Sequence, residues 1–521
     1  MERFGTPKAT WREWAGLATL ALPTLLIGVD MTVLHLAVPS LSADLQPTST
    51  QLLWIVDIYG FLIAGFLLTM GTLGDRIGRR KLLVIGAIAF ALASLFAAFS
   101  TSPEMLIAAR ALLGIAGATL MPSTLSLIRN MFHDTSQRTV AISIWMMCIL
   151  TGQAIGPLVG GALLEHFWWG SAFLIGVPVM ILLLVLAPFL LPEYRDPNPG
   201  RLDPASALLS LVTILAVVYG LKELARYGLS PSPVLAILLG IAVGALFIRR
   251  QQRLSDPMLD LKLFRSGAFS AVVATHSLSM FMLAGMQFIS AQHLQLVLEL
   301  SPVRAGMWMV PAAIGGIIGS LLASALVRLM RPVNVIVSNL LVGAAGFGLL
   351  TQVEISSGLT VLVSGLIIAT FAVSLVTALT TDLIIGSVPS ERAGTASGIS
   401  ETGAEFGIAM GIAVLGSVGT AVYRSQLLDT IPASVSGMVS ETSIDTLGGA
   451  VATSGELPEG AGVILLESAR EAFTSGLTVS AWVGGIALIA LALLCLATLR
   501  RGRRESTEER PYPRPRPAMD D

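Results

Sequence analysis

The stretch GTLGDRIGRRK, residues 71–81, is a short turn rich in glycine and arginine that separates two apolar runs of about 20 residues each. Its glycines allow two helices to approach closely, and Asp75 can pair with Arg76 or Arg79 or cap the next helix. Taken alone, such a turn is an ordinary basic loop on the cytoplasmic side of a membrane. Its place between two apolar runs therefore predicts two spanning helices joined at one membrane face.

The composition indicates a polytopic helical membrane protein. The chain has 521 residues, of which 54% are hydrophobic and 12% are charged, and its mean hydropathy is +0.79. Soluble proteins carry about twice that fraction of charge. The two cysteines, Cys148 and Cys495, lie in apolar runs, so we expect neither a disulfide framework nor a metal site. There is no P-loop string and no cluster of nucleophilic or metal-binding residues, which argues against an ATP-driven pump and against an enzyme.

The apolar runs predict an all-α protein with fourteen transmembrane helices. The first run is too long for a cleaved signal peptide, so we expect it to be retained as a span. The predicted spans are 15–37, 52–72, 81–100, 105–128, 139–161, 170–191, 204–222, 232–248, 268–292, 305–327, 333–351, 359–381, 395–419 and 476–499.

The distribution of Lys and Arg predicts the orientation of these spans. If the N-terminus, residues 1–14, is inside, the cytoplasmic segments hold 26 basic residues and the external loops hold 5. Both termini are therefore expected in the cytoplasm, which requires an even number of spans. The basic residues assigned to the outside are Lys222, Arg226, Arg304, Arg424 and Arg470, and Arg110 is the only basic residue expected inside a span.

Residues 71–81 resemble, position by position, the signature loop of the major facilitator superfamily. The resemblance implies two six-helix bundles that open alternately to the two sides of the membrane, here 15–191 and 268–499, with 204–248 as two inserted helices. It also implies that the loop latches the inner gate. The residues that carry this role are Gly71, Asp75, Arg76, Gly78 and Arg79.

Two further segments support this resemblance. RALLGIAGATLMPS, residues 110–123, resembles the motif of the fourth helix, in which Arg110 is a buried arginine that needs a carboxylate, carbonyl or water partner. GQAIGPLVGG, residues 152–161, resembles the fifth-helix motif of the antiporter branch, although glycines at this spacing also serve simple helix packing. Its motif residues are Gly152, Gly156, Pro157 and Gly160.

The opening of the chain narrows the branch. VDMTVLHLAVPSL (29–41) and QLLWIVDIYGF (51–61) are similar to the first two helices of fourteen-span drug/proton antiporters of the QacA, SmvA and EmrB kind. His35 departs from the Asn found in many relatives. Residues 420–475 form a long acidic external segment without a recognisable motif, which we expect to fold back as a hairpin or short helix. The tail, 500–521, is charged and rich in proline, so we expect it to be disordered.

Two acids stand out in ISETGAEFGIAMGIAVLG, residues 399–416. An ionised carboxylate near the bilayer centre costs about 3 kcal/mol. Glu401 and Glu405 lie about 40° apart on one helix face, and three glycines lie on roughly the opposite face, at Gly403, Gly407 and Gly411. The helix thus has a smooth face for packing and an acidic face for water, protons or cations. A structural ion pair is the alternative, but few basic partners are expected at that depth.

Asp30 and Asp57 extend the acidic pattern to the first two spans. Trp54 and Phe61 flank Asp57 on one side of its helix, and a carboxylate beside aromatic rings suits a lipophilic cation through charge neutralisation and cation–π contact. Capping near the membrane surface is the structural alternative for Asp57. We expect Asp30, Asp57, Glu401 and Glu405 to bind substrate or proton, and the residue pattern alone does not divide these roles.

The function that follows is proton-coupled antiport of lipophilic cations, such as quaternary ammonium biocides and dyes, by alternating access in a bacterial cytoplasmic membrane. The implied partners are small cations, protons and the lipid bilayer. Neither a cofactor nor nucleic acid is expected, and the protein is expected to be a monomer. Export of an endogenous lipid, a metabolite or a self-made antibiotic on the same scaffold is the alternative.

Overall fold

The protein is represented by a computed structural model that describes residues 8–195, 203–254, 257, 261–355, 358–387, 393–431 and 440–508. Within these residues the chain contains thirteen helices that are long and apolar enough to cross a membrane, and a fourteenth, at the N-terminus, that is bent by 44° between Asp30 and Thr32. The predicted number of spans is fourteen, and each predicted span falls on one of these helices.

We label the long helices α1–α14 in chain order. The first six are α1 (Trp11–Leu45), α2 (Ser49–Ile77), α3 (Arg79–Ala98), α4 (Pro103–Met131), α5 (Thr135–His166) and α6 (Ser171–Leu190). Two more follow, α7 (Pro204–Tyr227) and α8 (Pro231–Arg253). The last six are α9 (Gly267–Gln292), α10 (Pro302–Leu329), α11 (Pro332–Leu350), α12 (Gly358–Gly386), α13 (Ala393–Thr430) and α14 (Glu459–Glu508).

Local sequence signals explain where the first helices begin. Thr10 caps α1 in a capping box with Glu13, and Thr48 caps α2 in the same way with Gln51. The short link between α2 and α3 turns at Gly78, whose φ of 112° lies in a region that side chains other than glycine rarely adopt. These signals place short connections between successive spans, as the sequence predicts.

Each bundle contains two closely packed pairs of helices. In the first bundle α1 packs along α5 and α2 along α4, and in the last six helices α9 packs along α13 and α10 along α12. The two groups then meet through α5 against α10 and through α2 against α13. At this second seam Gly60 of α2 faces Ala409 of α13. The seam between α2 and α13 therefore joins the two halves of the molecule.

The inserted helices lie beside this seam. α7 and α8 pack against each other, and α7 also contacts both α2 and α13. Val218 of α7 is fully buried in a cluster with Phe61, Ala409 and Ala413. The outer face of α8 remains exposed, as a lipid-facing helix requires, and α7 is the member of the pair that reaches the interior.

The external segment and the tail differ from their predicted boundaries. Residues 462–473 of the predicted external segment belong to α14, and Leu465, Ala469 and Ala472 are buried there in a second apolar cluster. The short helix Leu447–Ser454 packs beside it, and a second short helix, Glu441–Asp445, packs against Leu447–Ser454 and α13. At the other end α14 continues to Glu508, so the first part of the predicted disordered tail is helical, and residues 509–521 lie outside the described residues.

Candidate functional site

Arg110 occupies the interior of the first bundle with three acceptors around it. Its guanidinium nitrogens lie 3.2 Å from the Oδ2 atom of Asp30, 3.1 Å from the carbonyl oxygen of Ile55 and 3.4 Å from that of Val56. The Tyr59 ring lies under the guanidinium, 4.5 Å from its carbon. The buried arginine thus has both a carboxylate and carbonyl partners, and it ties α4 to α1 and α2.

Asp57 is paired with a cation that the sequence analysis placed outside the membrane. The Nζ atom of Lys222 lies 2.9 Å from both oxygens of Asp57, and neither side chain has any exposed surface. The expectation that Arg110 is the only basic residue inside a span is therefore wrong. Lys222 ends an apolar run in the sequence, but α7 continues past it, and the helix carries its ammonium group inward.

The two aromatic residues beside Asp57, Trp54 and Phe61, lie in different surroundings. Trp54 does hold a cation, but that cation is the Lys222 ammonium, 3.8 Å from the ring centroid. Phe61 is wholly buried against Val218, Ala409 and Ala413, so it does not line an open cavity in this structure. Its role here is to pack α2 against α7 and α13.

Glu401 and Glu405 differ from both aspartates because no ion pair joins either of them to a basic residue in the described part of the chain. Glu405 is 5% exposed, and its Oε2 atom has no hydrogen-bond partner there. Glu401 is half-buried. α13 thus presents one buried and one half-buried acid, one turn apart, with no basic partner among the described residues.

The glycine face of α13 packs against α9, opposite the two acids. A Cβ atom on Gly407 would overlap the carbonyl oxygen of Ser277, and one on Gly411 would overlap that of Phe281. The two helix backbones therefore approach more closely than larger residues allow. This contact fixes the rotation of α13 and directs Glu401 and Glu405 away from α9.

Tyr59 brings the charged groups of the two bundles together. It lies within electrostatic range of Asp30 and Arg110 in the first bundle and of Glu405 on α13. Its neighbour Gly60 faces Ala409, one turn beyond Glu405. Asp30 of the first bundle and Glu405 of α13 therefore both lie near Tyr59, at the seam between α2 and α13.

The structure also places His276 close to this acidic helix, a position for which the sequence offered little support. The Nδ1 atom of His276 lies 3.0 Å from Oγ1 of Thr380, and its Nε2 atom lies 3.5 Å from Oγ of Ser400, which precedes Glu401. Helix periodicity within α9 does not show which residue of α13 a side chain meets. His35 lies elsewhere, with its ring 5.8 Å from that of Phe288 where α1 meets α9.

Residues 71–81, predicted as a turn, form the end of α2, the turn at Gly78 and the start of α3, and their polar contacts lie within the first bundle. Asp75 and Arg79 form an ion pair at 2.5 Å, and Arg79 also approaches the carbonyl oxygen of Pro122. Arg80 pairs with Glu193 after α6 at 3.6 Å. Gly71 faces Pro122, Gly78 faces the carboxylate of Glu193, and Arg76 takes part in a polar contact.

The glycines of α5 pack against α1. A Cβ atom on Gly152 would overlap the carbonyl oxygen of Leu25, and one on Gly156 would overlap the hydroxyl of Thr32. Gly160 faces Val33, and Pro157 faces Gly306 of α10. This stretch therefore joins α1 on one side and the second bundle on the other.

Comparison with known proteins agrees with this architecture. The family model of the Major Facilitator Superfamily matches residues 20–412. The chain is 44% identical to the multidrug efflux pump LfrA of Mycolicibacterium smegmatis, over 95% of this chain and 99% of that protein. It is 33% identical to the methyl viologen resistance protein SmvA of Salmonella typhimurium, over 95% of this chain and all of that protein. A crystal structure of a bacterial homologue of the human lysosomal transporter Spinster, inward-facing and unoccupied, superposes with a TM-score of 0.68 at 17% identity, covering 94% of this chain and 98% of that one.

Proposed function

Because the chain belongs to the major facilitator superfamily and is therefore a transport protein and not an enzyme, we propose that it is a proton-coupled exporter of lipophilic cations. The names of its two relatives support drug export as the class of activity. Quaternary ammonium biocides, aromatic dyes and viologens are the substrates that this proposal predicts. Transport is from the cytoplasm outward, across a bacterial cytoplasmic membrane with both termini inside.

The observation that carries the proposal is the difference in charge balance at the seam. Asp30 and Asp57 each have a basic partner, whereas Glu401 and Glu405 have none within the described residues. A buried carboxylate without a partner is costly, so a chain that keeps two of them one turn apart has a use for a cation or a proton there. We assign the exchange of drug and proton to Glu401 and Glu405.

The exchange follows from simple electrostatics. Burial in an apolar seam favours the neutral, protonated form of a carboxyl group, and a nearby positive charge favours the ionised form. A lipophilic cation that enters from the cytoplasm displaces the proton from the glutamate pair. After the bundles open to the outside, an external proton neutralises the pair and releases the drug. The membrane potential adds about 2.3 kcal/mol per charge for each 100 mV.

In this cycle the paired aspartates, Asp30 and Asp57, have a structural role and do not exchange drug and proton. Arg110 holds Asp30 and two α2 carbonyl groups, so it fixes α1 and α2 beside the glutamates. Asp57 is held by Lys222 of the inserted pair. We propose that the Asp75–Arg79 pair of the turn between α2 and α3 belongs to the inner gate, because it joins two helices of the first bundle at the end that the charge distribution predicts to face the cytoplasm.

The test is ethidium efflux from energised cells, or ethidium uptake into energised inverted vesicles, with and without a protonophore. The proposal predicts efflux by the wild type, loss of efflux with the protonophore, and loss with Glu401→Gln or Glu405→Gln. Glu354→Gln is the matched control, because Glu354 is exposed in the link between α11 and α12; this variant should export like the wild type.

Each outcome separates one part of the proposal from another. Efflux that continues with both glutamines present contradicts the role of the two glutamates. Efflux that resists the protonophore contradicts proton coupling. A folded wild-type protein that exports neither ethidium nor a viologen contradicts export of lipophilic cations and favours solutes that the cell itself makes.

A further inference from the structure

The Lys222 ammonium group sits in a closed box formed by an acid and an aromatic ring. Its Nζ atom lies 2.9 Å from both carboxylate oxygens of Asp57 and 3.8 Å from the ring centroid of Trp54. Lys222 and Asp57 have no exposed surface. Ion pair and cation–π contact thus act on the same ammonium group, in a place from which water is excluded.

This box has the chemistry that a cationic substrate requires. A carboxylate beside an indole ring binds alkylammonium groups through charge and through the face of the ring. Here the cation is part of the chain, and it comes from α7, one of the two helices inserted between the bundles. Glu223, the next residue of α7, accepts a hydrogen bond from Thr50 at 3.2 Å, so two adjacent polar side chains attach this helix to α2.

The box lies beside the seam that holds the glutamates. Phe61 lies one turn of α2 beyond Asp57 and packs against Ala409 and Ala413 of α13. Arg110, which pairs with Asp30, lies within electrostatic range of Asp57 as well. A cation that took the place of the Lys222 ammonium would therefore lie beside the seam that receives a substrate in the proposed function.

We propose that Lys222 is a specificity-determining residue: its ammonium group fills the Asp57–Trp54 box as an intramolecular cation and keeps that box closed to cationic substrates. The proposal rests on the proposed export of lipophilic cations and deepens it. With Asp30 and Asp57 neutralised by the chain itself, the two glutamates are, of these four acids, the ones left for the substrate. Lys222 thus limits the negative charge at the seam. It thereby sets the ratio of the affinities for substrates with one and with two positive charges.

Neutralising Lys222 should shift that balance toward dications. Lys222→Met removes the charge with little change of length and leaves a third carboxylate beside the seam. The freed Asp57 carboxylate lies one or two helix turns from the seam, and at that distance it should attract the second positive charge of a dication. We expect the affinity for the dication to increase about tenfold relative to that for the monocation. Equilibrium binding to the full-length protein in lipid nanodiscs measures this, with methyl viologen as the dication and tetraphenylphosphonium as the monocation.

Two control variants separate charge from packing. Lys222→Arg keeps the positive charge, so the ratio of the two affinities should stay at the wild-type value. Lys222→Met/Asp57→Asn removes both members of the pair, and the ratio should return to that value. A folded Lys222→Met protein whose ratio equals that of the wild type overturns the proposal, as does an equal shift in the double variant.

A second measurement keeps the proposal testable if Lys222→Met is unstable. Lys222→Ala deletes three carbons and the ammonium group, which together correspond to n-propylammonium. This amine should raise the melting temperature of Lys222→Ala, or its yield of monodisperse protein, in a saturable way, and n-propanol of the same length should not. Lys222→Ala/Asp57→Asn should not respond. An equal effect of amine and alcohol, or no effect of either, overturns the cation site.

The two proposals fail in different ways. A wild-type protein that neither binds nor exports either cation contradicts the proposed function, whatever Lys222 does. Intact export by the wild type, together with an unchanged affinity ratio in Lys222→Met and no response of Lys222→Ala to the amine, contradicts the role of Lys222 alone.

Discussion

The buried acids of the first two helices and those of α13 lie close to one seam but in opposite electrostatic situations. Arg110 lies 3.2 Å from Asp30, and Lys222 lies 2.9 Å from Asp57. Glu405 has an oxygen without any hydrogen-bond partner in the described chain. A paired buried charge contributes to holding helices together, because removal of either partner leaves an uncompensated charge. An unpaired one costs stability, so its presence indicates a use other than structure.

The backbone packing of the two regions is nevertheless alike. Glycines of α5 contact α1, and glycines of α13 contact α9, in both cases close enough that a Cβ atom would overlap a backbone carbonyl oxygen. Both pairs of helices are thus built for close approach. The difference between the regions lies in their charges and not in their scaffold, and it is the charges that the following experiments address.

The largest effect on stability should come from Arg110→Gln. The substitution leaves Asp30 buried without its partner and frees the carbonyl groups of Ile55 and Val56. A broken buried ion pair costs about 3–5 kcal/mol. Chemical unfolding in detergent measures the loss, with Arg304→Gln, an exposed residue near the start of α10, as the control. A loss below about 1 kcal/mol would show that the pairing in the first bundle is not structural.

A smaller loss of stability is expected when a side chain is introduced on the glycine face of α13. Gly411→Leu places a side chain against the carbonyl group of Phe281, and α9 and α13 must separate to admit it. Overpacking of this kind costs about 1–3 kcal/mol and also turns the acidic face of α13. Gly348→Leu is the matched control, because nothing lies within 4 Å of its Cβ position. Equal melting temperatures for the two variants would contradict the close contact of α13 with α9.

A paired acid outside the membrane should show a still smaller, pH-dependent effect. Asp203 caps α7 at Ser206 and lies 2.9 Å from a guanidinium nitrogen of Arg250. Burial alone would raise the pKa of Asp203, but hydrogen bonds from Arg250 and Ser206 outweigh it and lower the pKa below its usual value. The contacts of the ionised Asp203 carboxylate therefore stabilise the fold at pH values above the pKa of Asp203 in the unfolded chain, about 4. This stabilisation is lost as the pH falls through the lower pKa of Asp203 in the folded protein.

Asp203→Asn tests this pair directly. At neutral pH the variant should lose about 0.5 kcal/mol, the contribution of a partly exposed ion pair, because asparagine caps a helix as well as aspartate does. The difference from the wild type should shrink as the pH is lowered from 7 toward 3, because the wild-type carboxyl group then becomes neutral too. Thermal unfolding at several pH values measures it. A difference that grows toward low pH would contradict the stabilising ion pair.

The smallest effect on stability should come from Glu405→Gln, although transport should be lost. Its side chain has no basic partner to lose, and the neutral amide avoids the cost of burying a charge. The free energy of unfolding should stay the same or rise by up to about 1 kcal/mol. Unfolding of the purified variant measures it beside the efflux assay. A loss as large as that of Arg110→Gln would show that Glu405 is a structural residue and would remove the contrast between the two regions.

Features that depend on one helix were predictable from the sequence. The apolar runs predict the fourteen helices, and the spacing of Gly407 and Gly411 opposite Glu405 predicts which face of α13 packs. The turn at residues 71–81 predicts the close link between α2 and α3. Each of these predictions uses only the helical repeat and the length of a span, both of which are local properties of the chain.

Helix ends were harder to predict. α7 continues beyond its last apolar residue, and this extension turns Lys222 from an expected loop residue into a buried one. α14 begins well before its apolar core, because Leu465 and Ala469 pack against the short helix Leu447–Ser454. In both places tertiary burial stabilises a helix beyond the limit that hydropathy suggests.

The sequence by itself determined the class of the protein, its helices and the positions of four acids at membrane depth. Only the tertiary structure decided which of those acids are neutralised. Asp57 and Lys222 stand 165 residues apart in the chain, and Asp30 and Arg110 stand 80 apart. No periodicity connects such residues, because an ion pair depends on distance through space, and that distance is set by how α1, α2, α4 and α7 pack. The same packing leaves Glu401 and Glu405 without a basic partner in the described chain, and this difference is the basis of the transport role that we propose for them.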